Sequence, residues 1–397
     1  MSLPHMAPET LPPSDLRIMV ITHAFAEPSN RSRWERLAQM YPNADVTLLT
    51  PWKFRELRYG ALENFRVEGI DRGNYRVIPV RTSGRRGFYR RLPRILRRIQ
   101  PDIVHVFAEP TQWMLLQFLA TSRLFAPRAV RLFNYFTNIL DRPDRKDRRV
   151  KQAAVFRLAH GVSVGSEGAA KVVRDLGFRG ECWTQTAFGV DERTWTPSVA
   201  RDEDHPLTIG FLGALTSFKG VDVLIEAVSS LGGDWRLLIG GGGPERGRLE
   251  RLAAESAPTG RVSFLGMIAR RDAPGFMKKL DVLVLPTRTL PSVAEQFGFV
   301  LVEAMLSGVA VIGSDSGAIP EVVGDAGLIF PQGDAQALAE HLRSLQEDAA
   351  RCRDLAARGR ERALRLYSAT ALATEAYNLY SELVVQHRDV PEPSFGS

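Results

Sequence analysis

The sequence predicts an α/β protein of two doubly wound domains, each a parallel sheet covered on both faces. Three observations lead there. Short apolar runs rich in β-branched residues alternate with helix-like segments along the whole chain, the pattern of parallel α/β layers. The runs are apolar almost throughout, as strands covered on both sides are. The series also stops at a polar, acidic stretch, "SVARDEDHP" at 198–206, and then begins again. A chain of 397 residues with 44% hydrophobic content has room for two cores, at about 150 residues per domain.

The first series places strands at 16–22, 45–50, 75–80, 103–107, 129–136 and 161–166. The second places them at 207–213, 235–241, 262–266, 281–286, 309–315 and 327–330. The expected organisation is a disordered start at 1–15, an N-terminal domain at 16–196 and a C-terminal domain at 197–367. A helix at 368–388 crosses back onto the first domain, and 389–397 forms a flexible tail.

Composition excludes several classes. Only Cys182 and Cys352 are present, far apart, which argues against a disulfide framework or a structural zinc and leaves packed or idle thiols. No His/Cys cluster suggests another metal, and "DED" at 202–204 lies in a linker rather than at a strand end. No run approaches the ~20 apolar residues of a membrane span, and the first fifteen residues lack the features of a secretory signal, so the expected location is the cytoplasm. Charge is uneven. Residues 1–195 hold 32 Lys and Arg against 19 Asp and Glu, a net of +13, while the rest nets −6. Eight arginines and no acid occupy 81–98, where Phe88, Leu92, Ile95, Leu96 and Ile99 can share one helical face. That segment, to residue 99, reads either as an ordinary packing helix with a basic rim or as a face for an anionic membrane surface. No nucleic-acid-binding module is present.

Ligands of open parallel sheets bind beyond the carboxyl ends of the strands. Residues there include His23, Glu109, "GALTSFKG" (213–220), "GGGGPE" (240–245), "TRTLPSVAEQFG" (287–298) and "DSGAIPE" (315–321). The stretch "EQFGFVLVEAM" (295–305) predicts a helix starting near Gly298 with Glu303 one turn inside it and Glu295 in the loop before it. Seen alone, that pair also reads as a rim residue and a solvated loop charge. The amides of Phe299 and Val300 at such a helix start suit a diphosphate, with Glu303 reaching back to ribose hydroxyls. Lys219 can place a point charge on the same phosphates. Gly213 and Gly241, at strand exits, complete the donor-side candidates, although four consecutive glycines also read as a tight turn.

These residues resemble the family 4 glycosyltransferases of GT-B fold. "EQFGFVLVEAMLSGVAVIGSDSGAIPEVVGDAGLIF" resembles their donor-site signature, two glutamates with seven residues between them, followed by a strand and an "SGGIPE"-like turn. "GALTSFKGVDVLIEA" is similar to the segment carrying their donor-phosphate lysine, and "FGVDERTWTP" to their interdomain element. The resemblance covers most of the chain and is strongest over 205–350. It implies two facing Rossmann-like domains and transfer of a sugar from a nucleoside diphosphate sugar to an acceptor hydroxyl, with retention of configuration, no cofactor and no metal. Carried over, Glu295 would contact donor-sugar hydroxyls, Glu303 the ribose, and Lys219 with the amides after Gly298 the departing diphosphate.

The chain departs from the family pattern in two places. Ala214 stands where many members carry a second phosphate-binding arginine, and "HAFAEPSNRSRW" (23–34) replaces the usual glycine-rich loop after the first strand. His23, Glu109 and Asn138 are the acceptor-side candidates, for an unknown glycan, lipid-linked or small-molecule acceptor, and His105 reads as a packed core histidine. Two other readings share the fold: a catalytically silent scaffold or binding subunit, and a nucleotide-sugar epimerase or hydrolase.

Overall fold

The computed structural model describes residues 15–58, 61–83, 88–137, 146–186, 188–198, 205–291 and 293–388. The expected tail, most of the disordered start, Asn138 and the acidic triplet 202–204 lie outside them. Two sheets organise the chain. In the first, the strands run in the order Glu181–Thr184, Gly161–Val164, Val130–Tyr135, Ile103–Phe107, Leu16–Ile21, Ala44–Pro51, Tyr75–Val80 and Ile70–Arg72. All pairs are parallel except the last, where Ile70–Arg72 folds back on Tyr75–Val80. In the second, the order is Val262–Gly266, Trp235–Gly240, Leu207–Leu212, Val282–Leu285, Ala310–Ser314 and Leu328–Phe330, all parallel.

Apolar runs become strands here because helices cover both faces. Val20, Leu48 and Leu132 point into one N-terminal core, while Met19, Leu49 and Phe133 point into the core on the other face. Strand order reverses between Leu16–Ile21 and Ile103–Phe107 in the first sheet and between Leu207–Leu212 and Val282–Leu285 in the second. A reversal leaves a crevice at the carboxyl edge, because the two flanking connections leave toward opposite faces.

The return helix is Ala369–Arg388. Its Ala373, Ala376, Tyr377, Tyr380 and Val384 belong to the core that also holds Trp34 and Leu37 of helix Ser32–Met40. Tyr377 stacks on Tyr41 with ring centroids 3.7 Å apart, and the Tyr380 hydroxyl lies 2.6 Å from His105 Nδ1. His105 is thus a packed histidine, and burial holds its pKa down at about 3, so it stays neutral. Glu192 pins the crossing by bonding Arg36 at 3.1 Å and the Ala369 amide at 3.1 Å.

One sequence expectation needs correction. Phe88 is in a short strand, Phe88–Tyr89, paired with Thr82–Ser83, and the helix is only Leu92–Ile99. Leu92 and Leu96 are fully buried, and Ile95 and Ile99 pack partly buried on the same core. The apolar face offered to a membrane is already covered by helix Trp113–Phe125 and the core it belongs to, leaving only the arginines outside. Among the described residues no helix is long and apolar enough to cross a membrane.

Tyr380→Ala should therefore destabilise the N-terminal half by about 3 kcal/mol, since it deletes a fully buried ring and leaves His105 Nδ1 unpaired. Urea unfolding followed through tryptophan emission reads this, with Trp34 lying parallel to Tyr380 at 6.4 Å. An unchanged midpoint would mean that the return helix is only loosely docked.

Candidate active site

The site lies at the reversal of the second sheet. Residues following Leu207–Leu212 and Val282–Leu285 converge on a cavity of about 420 Å³ lined by Leu212, Gly213, Ala214, Lys219, Arg270, Leu285, Glu295, Gly298, Phe299 and Val300. Asn30 closes it from the N-terminal half and donates from Nδ2 to the Ala24 carbonyl at 2.9 Å.

Gly298 caps helix Phe299–Leu306 with φ +82°, in the left-handed region that glycine enters without steric cost. The first N–H the helix uses is that of Leu301, which donates to the Gly298 carbonyl at 2.9 Å. No acceptor among the described residues takes the N–H of Phe299 or Val300, and both residues line the cavity. Unsatisfied amides at a helix start carry partial positive charge, so this wall of the cavity suits an anion.

Glu303 lies one turn into that helix among Leu301, Val302, Ala304 and Met305, all fully buried. Its side chain is 7% exposed, and its partner is the Arg270 guanidinium, Nη2 to Oε1 at 3.2 Å. Burial pushes the Glu303 pKa up to about 7, against the downward pull of Arg270. An acid can interrupt this apolar run because the helix core hides its stem and turns the carboxyl toward the cavity wall.

Glu295 is held differently. Lys219 Nζ lies 2.6 Å from its Oε2, and the Thr287 hydroxyl donates to the same oxygen at 3.3 Å. Its backbone is fixed from below by Gly317, where a Cβ would come within 2.1 Å of the Glu295 carbonyl, and the Ala318 N–H donates to that carbonyl at 3.0 Å. Lys219 is fixed by its own turn. The Arg288 N–H donates to the Phe218 carbonyl at 2.8 Å, and the Arg288 guanidinium pairs with Asp222 at 2.9 Å.

The structure thus brings together Glu295, Glu303, Lys219, Gly298, Phe299, Val300 and Gly213. Gly241 lies directly behind one of these residues, not on the cavity wall itself. It packs against the Gly213 carbonyl, where a Cβ would come within 1.8 Å, so the glycine run is a close backbone crossing behind the cavity wall. Of the acceptor-side candidates, His23 begins the turn His23–Ala26 after the first strand. Glu109 Oε1 accepts from the Phe136 N–H at 3.4 Å and the Thr137 hydroxyl at 3.1 Å, which ties it to the neighbouring strand exit. Asn138 lies outside the described residues.

Arg270 escaped the sequence reading. The signal was a basic residue after a parallel strand, but Arg270 and Arg271 are adjacent and only tertiary structure chooses between them. The Arg271 side chain is 88% exposed beside Asp272, whereas Arg270 lines the cavity at the wall where Ala214 supplies no charge.

Residues 192–362 match the family described as glycosyl transferases group 1. A lipopolysaccharide core biosynthesis glycosyltransferase, LpsE of Rhizobium meliloti, is 30% identical over 64% of this chain and 73% of its own length. The chain belongs to the group 1 glycosyltransferases. The alpha-maltose-1-phosphate synthase of Mycolicibacterium smegmatis is 28% identical over 49% of this chain, and the match spans just over half of that relative, 55%. The crystal structure of Anabaena HepE in complex with UDP-glucose superposes with a TM-score of 0.65 over 92% of this chain and 100% of its own, at 18% identity, and shares the GT-B fold.

The buried carboxyl makes a stability prediction. Its pKa is raised on folding from 4.5 to about 7, so the folded state holds the proton more tightly. Stability from this group is fully present below pH 4.5 and is lost as pH rises through 7, a loss of about 3 kcal/mol at most. Glu303→Gln should flatten that part of the profile and make the ligand-free protein more stable than the parent at pH 8. Thermal midpoints across this range check it, and parallel profiles would contradict it.

Proposed function

We propose that this chain transfers a sugar from a nucleoside diphosphate sugar to an acceptor hydroxyl with retention of anomeric configuration and without a divalent metal. The observation that carries the reading is one cavity with two cations, Lys219 and Arg270, and two free helix amides on its wall, beside a buried and a half-buried carboxylate. A diphosphate matches the cations and amides, and vicinal hydroxyls match the carboxylates. HepE, which shares the fold, forms a complex with UDP-glucose, and this supports a donor of the same class.

In this reading Glu303 accepts from the ribose hydroxyls, and the diphosphate lies on the amides of Phe299 and Val300. Arg270 supplies the second cation that Ala214 does not. Arrival of the phosphates draws Lys219 from Glu295, whose carboxylate then takes hydroxyls of the donor sugar. The bond from the anomeric carbon to the phosphate oxygen breaks with its electron pair going to the phosphate, where Lys219 and the amides stabilise the charge as it develops. The acceptor oxygen bonds to the same face of the anomeric carbon, and its proton passes to the departing phosphate oxygen. The Thr287 contact to Glu295, together with the donor-sugar hydroxyls it takes, favours this front-face route over a covalent glycosyl intermediate, because a carboxylate so engaged is a poor nucleophile. The N-terminal half holds the acceptor, and a cytoplasmic location belongs to the same proposal.

The test is release of nucleoside diphosphate from a panel of UDP, GDP, ADP and dTDP sugars with EDTA present, with the product anomer read by NMR. Lys219→Ala should lower kcat by roughly a hundredfold or more with a smaller change in KM, as removal of a transition-state contact does. Activity that needs added Mg²⁺, or an inverted product, would overturn the metal-free retaining assignment. Turnover unchanged by Lys219→Ala would overturn the site.

A further inference from the structure

Three cations crowd one indole at the carboxyl edge of the N-terminal sheet. Trp52 directly follows strand Ala44–Pro51, and Arg81 directly follows its parallel neighbour Tyr75–Val80. The Trp52 N–H donates to the Val80 carbonyl at 2.9 Å, and the Trp52 carbonyl accepts from the Val67 N–H at 3.1 Å. Those two bonds gather Lys53, Arg66 and Arg81 around one ring. Lys53 Nζ lies 4.7 Å from its centroid, Arg81 Cζ 4.9 Å and Arg66 Cζ 5.3 Å. All three are exposed, and Trp52 is half-buried. No carboxylate of the described residues forms an ion pair with any of them. Each cation gains weakly from the ring and is repelled by the other two, so among the described residues the arrangement lacks a counter-charge.

The position relates the cluster to the donor cavity. Strand Lys53–Arg58, which starts in the cluster, contacts the turn His23–Ala26, and Asn30, bonded to Ala24 of that turn, lines the cavity. The core of the C-terminal half contributes none of these residues.

We propose that Trp52, Lys53, Arg66 and Arg81 form a subsite for a phosphate group carried by the acceptor. Two guanidinium forks and an ammonium provide charge-assisted donors to phosphate oxygens, and the indole they surround holds them together. The same chemistry serves a soluble phosphorylated acceptor and a lipid phosphate headgroup. Its role as an acceptor subsite rests on the transferase reading above, whereas the binding itself does not.

The experiment titrates the full chain with inorganic pyrophosphate in the parent, in Trp52→Phe, and in Arg66→Gln combined with Arg81→Gln, and binding is read only from the part of the tryptophan emission change that Trp52→Phe removes, which excludes pyrophosphate in the donor cavity. In parallel the chain is sedimented with phosphatidylcholine vesicles with and without phosphatidic acid, and its thermal stabilisation by nucleoside diphosphates is measured. The expected result is a Trp52-dependent emission change and about tenfold weaker binding of pyrophosphate or of acidic vesicles by the double variant. Nucleoside diphosphate stabilisation should be the same in parent and variant. Pyrophosphate binding without vesicle binding identifies a soluble acceptor, and vesicle binding lost in the double variant identifies a headgroup. No binding of either, or equal binding by parent and double variant, overturns the proposal. Failure of every nucleoside diphosphate to stabilise the parent counts instead against the transferase reading.

Discussion

A carboxyl held one turn inside an apolar helix is the constraint on which the rest of the site depends. Glu303 is buried among aliphatic neighbours, with its pKa near 7 and Arg270 as its partner. Burying a carboxylate is costly unless a partner or a ligand compensates for it. The helix tolerates it because its other face is packed by helix Ala349–Leu366 and strand Ala310–Ser314, which hold the element rigid while its start opens on the cavity. The cost to ligand-free stability and the affinity for a ligand are two sides of one feature, since only a group that donates hydrogen bonds to the carboxylate relieves the burial.

The fold supplies the remaining geometry with few parts. Each sheet reverses its strand order once, and the residues that leave the second reversal form the cavity. The N-terminal half reaches it through the turn after its first strand, the loop that carries Asn30. The return helix and Glu192 tie the two halves together at one side, by Tyr380 on His105 and by Glu192 on the Ala369 amide. Chemistry is thereby divided between a rigid C-terminal wall with cations and carboxylates and an N-terminal wall whose loops differ from the family pattern.

Much of this was legible in the sequence, and the reasons are local. Glu295, Gly298, Glu303 and the helix between them were readable because their spacing along a short segment determines their geometry. Lys219 was readable from the turn before its helix. The alternating apolar runs gave both sheets, but the edge strand Glu181–Thr184 was missed because its half-exposed "ECWT" has no apolar run. The hairpin Lys53–Arg58 with Ala61–Arg66 was missed because charged residues interrupt its alternation. The helix Leu92–Ile99 had the right period, yet sequence cannot say whether a lipid or a neighbouring helix covers an apolar face. Arg270 and the pairing of Lys219 with Glu295 depend on contacts between segments far apart in the chain, 76 residues in the second case. A glycine run such as the one at Gly241 signals close backbone approach without saying to what, and the structure supplies the partner, the Gly213 carbonyl.

The most direct test of the central claim is calorimetric titration of the ligand-free chain with a nucleoside diphosphate and with the corresponding monophosphate, in the parent and in Glu303→Ala. The account predicts that the diphosphate binds more tightly than the monophosphate, because the second phosphate reaches Lys219 and the helix amides. It also predicts that Glu303→Ala weakens both by a similar factor, because the ribose is common to them. Equal affinities for the two nucleotides, or binding indifferent to Glu303, would contradict it.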